Sequence, residues 1–141
     1  MISSIGIILT WFGFLNLIIL FISSNKNLFQ SLVRVNLLIH FLLFCILEIA
    51  LFLDDFSLYY IANHSAASTP PLYKFASLWG SLDGSILLWN LVLSIYFYLY
   101  IKFYRASVEL YDIKIFASLL LFFSGFTLYQ KLENGRVRYG K

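Results

Sequence analysis

Charge and cysteine are both scarce in this chain, and each scarcity excludes a class of protein. Only 12% of the 141 residues are Asp, Glu, Lys or Arg, whereas 61% are hydrophobic. A soluble domain carries about 25% charged residues, so the low value indicates a membrane protein. Cys45 is the single cysteine and lies within an apolar run, which excludes an intrachain disulfide and a cysteine-based metal site.

Familiar catalytic patterns are also missing from the sequence. It contains no P-loop, no HExxH or CxxC motif and no Ser-His-Asp arrangement. The net charge is only +3, and the basic residues lie at the ends of apolar runs and in the tail. This distribution is typical of anchoring in a lipid membrane, so we expect no nucleic-acid partner. The first run lacks the basic start and small-residue exit of a cleaved signal peptide and is expected to stay in the protein.

What the chain has instead is four long apolar runs. They cover about residues 5–22, 35–53, 85–104 and 113–129. Each is close to the ~20 residues that a helix needs to cross a bilayer, and a helix satisfies its own backbone hydrogen bonds there. The sequence therefore predicts an all-α membrane protein with four transmembrane helices in one membrane domain, residues 1–141.

The positive charges predict how these spans are oriented. Five basic residues lie at the two short loops, whereas the long loop of about 54–84 contains only Lys74. The positive-inside rule therefore places the long loop on the outer face. Four basic residues in the tail would also lie outside, so the orientation depends on giving the loops more weight than the tail.

The long loop is aromatic-rich and carries a proline pair at 70 and 71. A Thr-Pro-Pro string is a typical helix start, and Leu72, Phe75, Ala76 and Trp79 then recur at helical spacing. These features predict a short amphipathic helix on the membrane surface with Trp79 at headgroup depth. Simple anchoring by interfacial aromatic residues explains the same pattern.

The string WGSLDGSILLW follows at residues 79–89. Gly80 and Gly84 have the spacing that lets another backbone or a flat ligand approach closely. Asp83 lies where the third apolar run begins. There a carboxylate caps free N–H groups and complements the helix dipole, which is its plainer role.

Residues 54–89 resemble a segment of the cytochrome c maturation F family, the membrane subunits of haem lyases. The family pattern is close to D-F-[ST]-V-x-Y-V-A-x-x-[ST], then L-P-x-x-Y-[KR], then A-x-W-G-x-H-E-G-S-L-L-L-W. Order and spacing hold apart from a small length change near 66–70, and the N-terminus and four-span layout also fit. The matching positions are Asp55, Phe56, Ser57, Tyr60, Ala62, Ser65, Pro71, Tyr73, Lys74, Trp79, Gly80, Gly84, Ser85, Leu87, Leu88 and Trp89.

The resemblance implies the N-terminal quarter of an enzyme that attaches haem to apocytochrome c through thioether bonds. It implies one piece of a split protein in the mitochondrial inner membrane, with the long loop in the intermembrane space. A bacterial inner membrane is the alternative location. The implied partners are the remaining fragments of the same haem lyase, other cytochrome c maturation subunits, apocytochrome c and membrane lipid.

The same resemblance implies that this chain supports haem and that partner chains hold most of it. The family's Trp-rich signature and haem-ligand histidines lie beyond this quarter, so no catalytic residue or metal ligand is assigned here. The family's His-Glu pair is replaced by Leu82 and Asp83, so a role for that imidazole is not carried over. The residues expected to shape or support a haem platform are Trp79, Gly80, Asp83, Gly84, Ser85 and Trp89.

Three ionisable residues could carry chemistry of their own. His40 and Glu48 are about two helical turns apart, so they project from one face of the predicted second span. Ionisable groups in a membrane are costly, and a proton path or a haem ligand is the functional hypothesis. Hydrogen bonding to neighbouring helices is the structural one. His64, in the long loop, is either a haem contact or an ordinary polar loop residue.

Two other functions fit the sequence. A structural accessory subunit of a respiratory or other large membrane assembly needs only apolar helices and a basic tail. A small transporter or channel needs polar residues at the middle of the membrane, for which His40, Asn16 and Asn36 are the candidates.

Overall fold

The computed structural model describes residues 2–53, 70–77, 80, 82–104 and 106–139, without the side chains of 2, 3, 26, 77, 82, 83 and 130–139. These residues form five helices and no strand. The helices are α1 (Ile2–Ile22), α2 (Lys26–Phe52), α3 (Pro71–Ser77), α4 (Leu82–Phe103) and α5 (Leu110–Tyr139).

Four of these helices are long and apolar enough to cross a membrane, which confirms the predicted fold class. The apolar stretches are Ser4–Ile22, Asn27–Phe52, Gly84–Phe103 and Leu110–Tyr129. Two of the helices extend well beyond the apolar runs that predicted them: α2 begins at Lys26, and α5 continues to Tyr139. Apolar runs mark only the part of a helix that lies in hydrocarbon, and helical hydrogen bonding continues into the polar interface.

Local side-chain contacts define where α2 and α5 begin. The Asn25 side chain accepts a hydrogen bond from the backbone N–H of Asn27 at 3.0 Å, which is an N-cap. At α5, Asp112 accepts from the backbone N–H of Glu109 at 3.0 Å, as in a capping box. The Tyr100 hydroxyl donates to the same carboxylate at 3.0 Å. This bond ties the end of α4 to the start of α5 across their short connection.

The four long helices pack in a closed ring in which α1 contacts α2, α2 contacts α4, α4 contacts α5, and α5 returns to α1. The arrangement is a four-helix bundle. A Cβ added at Gly13 of α1 would lie 3.0 Å from Ile39 Cγ2 of α2. Glycine is therefore needed there for the two helices to approach as closely as they do.

Two apolar cores fill the bundle. The larger one lies at the end with the short connections and takes residues from all four long helices, including Leu20, Phe29, Phe97 and Leu120. The smaller one lies toward the end that carries α3 and contains Ile39, Leu43 and Leu87.

The short helix α3 packs against α2. It begins at Pro71, and the backbone N–H groups of Tyr73 and Lys74 donate to the carbonyl oxygen of Pro70. Leu72, Tyr73 and Phe75 are exposed, whereas Lys74 is buried. The apolar side chains are thus turned away from the bundle, as expected for a helix that lies on a membrane surface.

Candidate functional site

The segment predicted to support a haem platform runs into α4, and its residues lie on different faces. Gly80 is exposed, Gly84 is buried and Ser85 is half-buried. Trp89 is 57% exposed. Five residues correspond to a rotation of about 140° around a helix, so Gly84 faces the bundle while Trp89 faces outward. The described residues therefore contribute an exposed aromatic ring near the N-terminal end of α4, with the buried Gly84 on a different face.

Several predicted residues lie outside the part of the chain that the structure describes. Trp79 and the loop 54–69, with His64, are among them. For Asp83 only the backbone is described, as the second residue of α4. A carboxylate in the first turn of a helix complements the helix dipole, so this position suits the capping role that the sequence suggests.

A second candidate site lies deeper, between α2 and α4, and we call it the polar layer: Asn36, His40, Asn90 and Ser94. Asn36 Nδ2 donates to Ser94 Oγ at 2.9 Å. Ser94 Oγ donates to the carbonyl oxygen of Asn90 at 2.8 Å. His40 Nδ1 donates to the carbonyl oxygen of Asn36 at 2.9 Å, which places a proton on that ring nitrogen. All four residues are at most 3% exposed.

The polar layer is only partly satisfied. The side-chain oxygens of Asn36 and Asn90 are buried and accept no hydrogen bond. A buried polar atom without a partner costs about 1–3 kcal/mol. Such a cost is unusual in a layer that serves packing alone. The layer lies between the two apolar cores, with Val33 and Leu43 on either side along α2.

His40 and Glu48 are both buried, as a shared inward face requires, but the structure does not link them. His40 Nδ1 bonds to the backbone one turn before it. Both carboxylate oxygens of Glu48 are buried and have no hydrogen-bond partner. His40 and Glu48 are therefore two separate polar positions in α2. The described residues contain no hydrogen-bonded route between them of the kind that a proton path would need.

Sequence reasoning missed half of the polar layer. It named Asn36 and His40 but neither Asn90 nor Ser94, which come from the third apolar run. A signal was present, because Asn90 and Ser94 are four residues apart in an apolar stretch and therefore share a helix face. Asn16, also named from the sequence, donates to the carbonyl oxygen of Leu32 at 3.1 Å and so joins α1 to α2.

The described residues offer an exposed aromatic ring to a flat ligand, and the one histidine among them is buried. Haem iron takes His, Cys, Met or Tyr as axial ligands. His40 is 3% exposed, and its Nδ1 donates to the Asn36 carbonyl oxygen, so its ring is not open to a ligand from outside the bundle. The exposed ring of Trp89 and the exposed Gly80 suit contact with a flat apolar macrocycle.

Comparison with known proteins finds relatives that are named for one process. No protein-family model matches the chain. Cytochrome c-type biogenesis protein CcmF of Pseudomonas aeruginosa is 36% identical over 76 residues, which are 54% of this chain and 12% of that protein. CcmF of Pseudomonas fluorescens is 35% identical over 91 residues, 63% of this chain and 14% of that protein. The solved structure of a cytochrome c haem lyase CcmF matches with a TM-score of 0.66 at 25% identity and covers 86% of this chain.

The fold defines the class as a multi-pass membrane protein, and the relatives of the chain carry names of the cytochrome c biogenesis type. Within that class the chain is a relative of CcmF, which confirms the resemblance carried by residues 54–89, and the likenesses support an N-terminal segment of such a protein. The chain spans only 12–14% of the length of the two Pseudomonas relatives and 21% of the solved chain.

Proposed function

We propose that this chain is the N-terminal part of a cytochrome c haem lyase and that other chains supply the remainder. The observation that carries the proposal is the likeness to a solved haem lyase, which covers 86% of this chain but 21% of that protein. A part with a complete four-helix bundle and an exposed aromatic ring suits a supporting role in such an assembly.

Within this assembly, Trp79, Gly80, Asp83, Gly84, Ser85 and Trp89 would shape or support the haem platform. Haem, when bound, supplies the vinyl groups that become thioether bonds to apocytochrome c. The exposed ring of Trp89 supports this assignment for the outer end of α4. Axial ligation of the iron is assigned to partner chains, because the only described histidine, His40, is enclosed between α2 and α4.

The proposed location is the mitochondrial inner membrane, with the 54–84 loop in the intermembrane space. Four membrane-compatible helices and bacterial relatives support an inner-membrane multi-pass protein. The mitochondrial placement and the split into several chains rest on the family resemblance. The proposed partners are the remaining lyase fragments, other cytochrome c maturation subunits and apocytochrome c.

The test is mass spectrometry of the native complex, purified in mild detergent through a tag on this chain. The proposal expects a larger membrane chain that carries the Trp-rich haem signature. Recovery of respiratory-complex subunits without such a chain would contradict it and would favour a structural accessory role.

A further inference from the structure

One exposed stripe of α4 has the spacing of a helix-packing seam. Its members are separated by alternating steps of three and four residues, the pattern that keeps side chains on one face of a helix against a partner helix. We call this set the outer α4 stripe: Trp89, Val92, Tyr96, Leu99 and Phe103. All of them are exposed except Val92, which is half-buried.

The middle of the stripe carries a polar atom where lipid offers no partner. Tyr96 is 64% exposed, and the described part of the chain gives its hydroxyl no hydrogen bond. The residue lies near the centre of the span Gly84–Phe103. From there the membrane surface is about 11 Å away, given a half-thickness of about 15 Å, which is farther than a tyrosine side chain reaches.

Other exposed faces near the middle of the membrane need no protein partner. On α5, Phe122 is 71% exposed and purely apolar. The hydroxyls of Ser118 and Thr127 donate to carbonyl oxygens of their own helix, at 2.7 and 3.0 Å. Lipid can therefore cover this face. Trp11 on α1 resembles Tyr96 in being an exposed aromatic residue with a polar atom. Its ring packs edge-on against Phe14, however, and the exposed residues near it are aliphatic or Phe.

We infer that the outer α4 stripe is the docking face for a transmembrane helix of the chain that supplies the rest of the haem lyase. The inference rests on the proposed function. The likeness to the solved haem lyase covers 21% of that chain, and the larger remainder of such a protein supports a membrane partner for this bundle. The docking helix presents a hydrogen-bond acceptor to the Tyr96 hydroxyl and packs against Val92, Leu99 and Phe103, which leaves the ring of Trp89 open.

Site-specific photocrosslinking in native membranes tests the contact. The full chain carries p-benzoylphenylalanine at position 96, and a matched chain carries it at position 122 on α5. We expect a covalent adduct with the larger membrane chain from position 96 and none from position 122. Adducts of the same yield from both positions, or an adduct with a second copy of this chain, would overturn the inference.

The same preparation separates this inference from the function on which it rests. If the larger chain co-purifies but forms no adduct from position 96, the docking face is wrong and the proposed function stands. If no such chain co-purifies, both fail.

A hydroxyl deletion gives a second measurement. Tyr96→Phe is expected to lower the amount of larger chain recovered per tagged chain by about threefold, because interhelical hydrogen bonds in membranes contribute modestly. The matched control is Tyr129→Phe, which removes the hydroxyl of a tyrosine that is 58% exposed at the end of a span. The control should leave the ratio unchanged, and an equal loss in both variants would count against the stripe.

Discussion

Ser94→Ala is expected to destabilise the bundle by about 1–2 kcal/mol, although it removes a single oxygen atom. Ser94 Oγ accepts from Asn36 Nδ2 and donates to the Asn90 carbonyl. Alanine removes the oxygen that accepts from Asn36 Nδ2, so this nitrogen loses its hydrogen bond. Asn36 Oδ1 already has no partner. The whole Asn36 side chain would then be buried without a hydrogen bond.

A double-mutant cycle with Asn36→Leu separates this cost from loss of packing. Leucine has the same number and branching of side-chain heavy atoms as asparagine, although it is larger, and it removes both the donor and the unpaired oxygen. Asn36→Leu should therefore be neutral or stabilising. Adding Ser94→Ala to Asn36→Leu should then cost little, which corresponds to a coupling energy of about 1 kcal/mol or more.

The assay is reversible unfolding of the purified chain in mixed micelles, with the free energy of unfolding read from helix content against the fraction of denaturing detergent. The matched control is Ser118→Ala, an exposed serine whose hydroxyl bonds only to the Lys114 carbonyl of its own helix. It should change the free energy by less than about 0.5 kcal/mol. If Ser94→Ala behaves like the control, or if the double variant is as unstable as Ser94→Ala alone, the polar layer does not act as described.

Two further predictions concern the platform and the helix contacts. Trp89→Ala should lower the amount of holocytochrome c while the level of the chain is unchanged. The control Trp11→Ala, at an exposed tryptophan on α1, should leave holocytochrome c unchanged. Normal holocytochrome c in the Trp89 variant would contradict a role of Trp89 in the platform. Gly13→Ala should destabilise the bundle by about 1 kcal/mol in the unfolding assay, since its Cβ would lie 3.0 Å from Ile39 Cγ2. Gly125→Ala, where the nearest contact is 3.8 Å, should be neutral or stabilising, and the reverse order would contradict the packing argument.

The long apolar runs were sufficient to predict the fold class, because only a helix satisfies its backbone inside lipid. Helix ends were less predictable. They depend on contacts such as the Asp112 carboxylate with the Glu109 N–H, which use polar residues outside the runs. The surface position of α3 followed from its proline start and apolar spacing. The burial of Lys74 did not, since it depends on how α3 packs against α2.

The candidate site was predictable only in part, for a physical reason. The resemblance to a family identified residues 79–89 as a candidate segment. It did not predict which face of α4 each residue would occupy. The spacing of Asn90 and Ser94 indicated a shared helix face but not a partner on another helix, because a serine in a membrane helix usually bonds to its own backbone. Its second bond, to Asn36, exists only because α2 and α4 are neighbours in the ring.

The polar layer affects the position of α4 along α2, and with it the position of the N-terminal end of α4. Apolar helices in lipid can slide past one another at little cost, because lipid tails solvate them as well as a neighbouring helix does. The bond from Asn36 to Ser94 favours one register of α4 against α2, since a shift would break it, and Ser94 would keep only the bond to its own helix. One turn is about 5.4 Å, a displacement large enough to move the ring of Trp89 off a bound macrocycle. A partly satisfied polar layer in mid-membrane is therefore consistent with the proposed role of Trp89, because it would hold that ring at a fixed depth in the membrane.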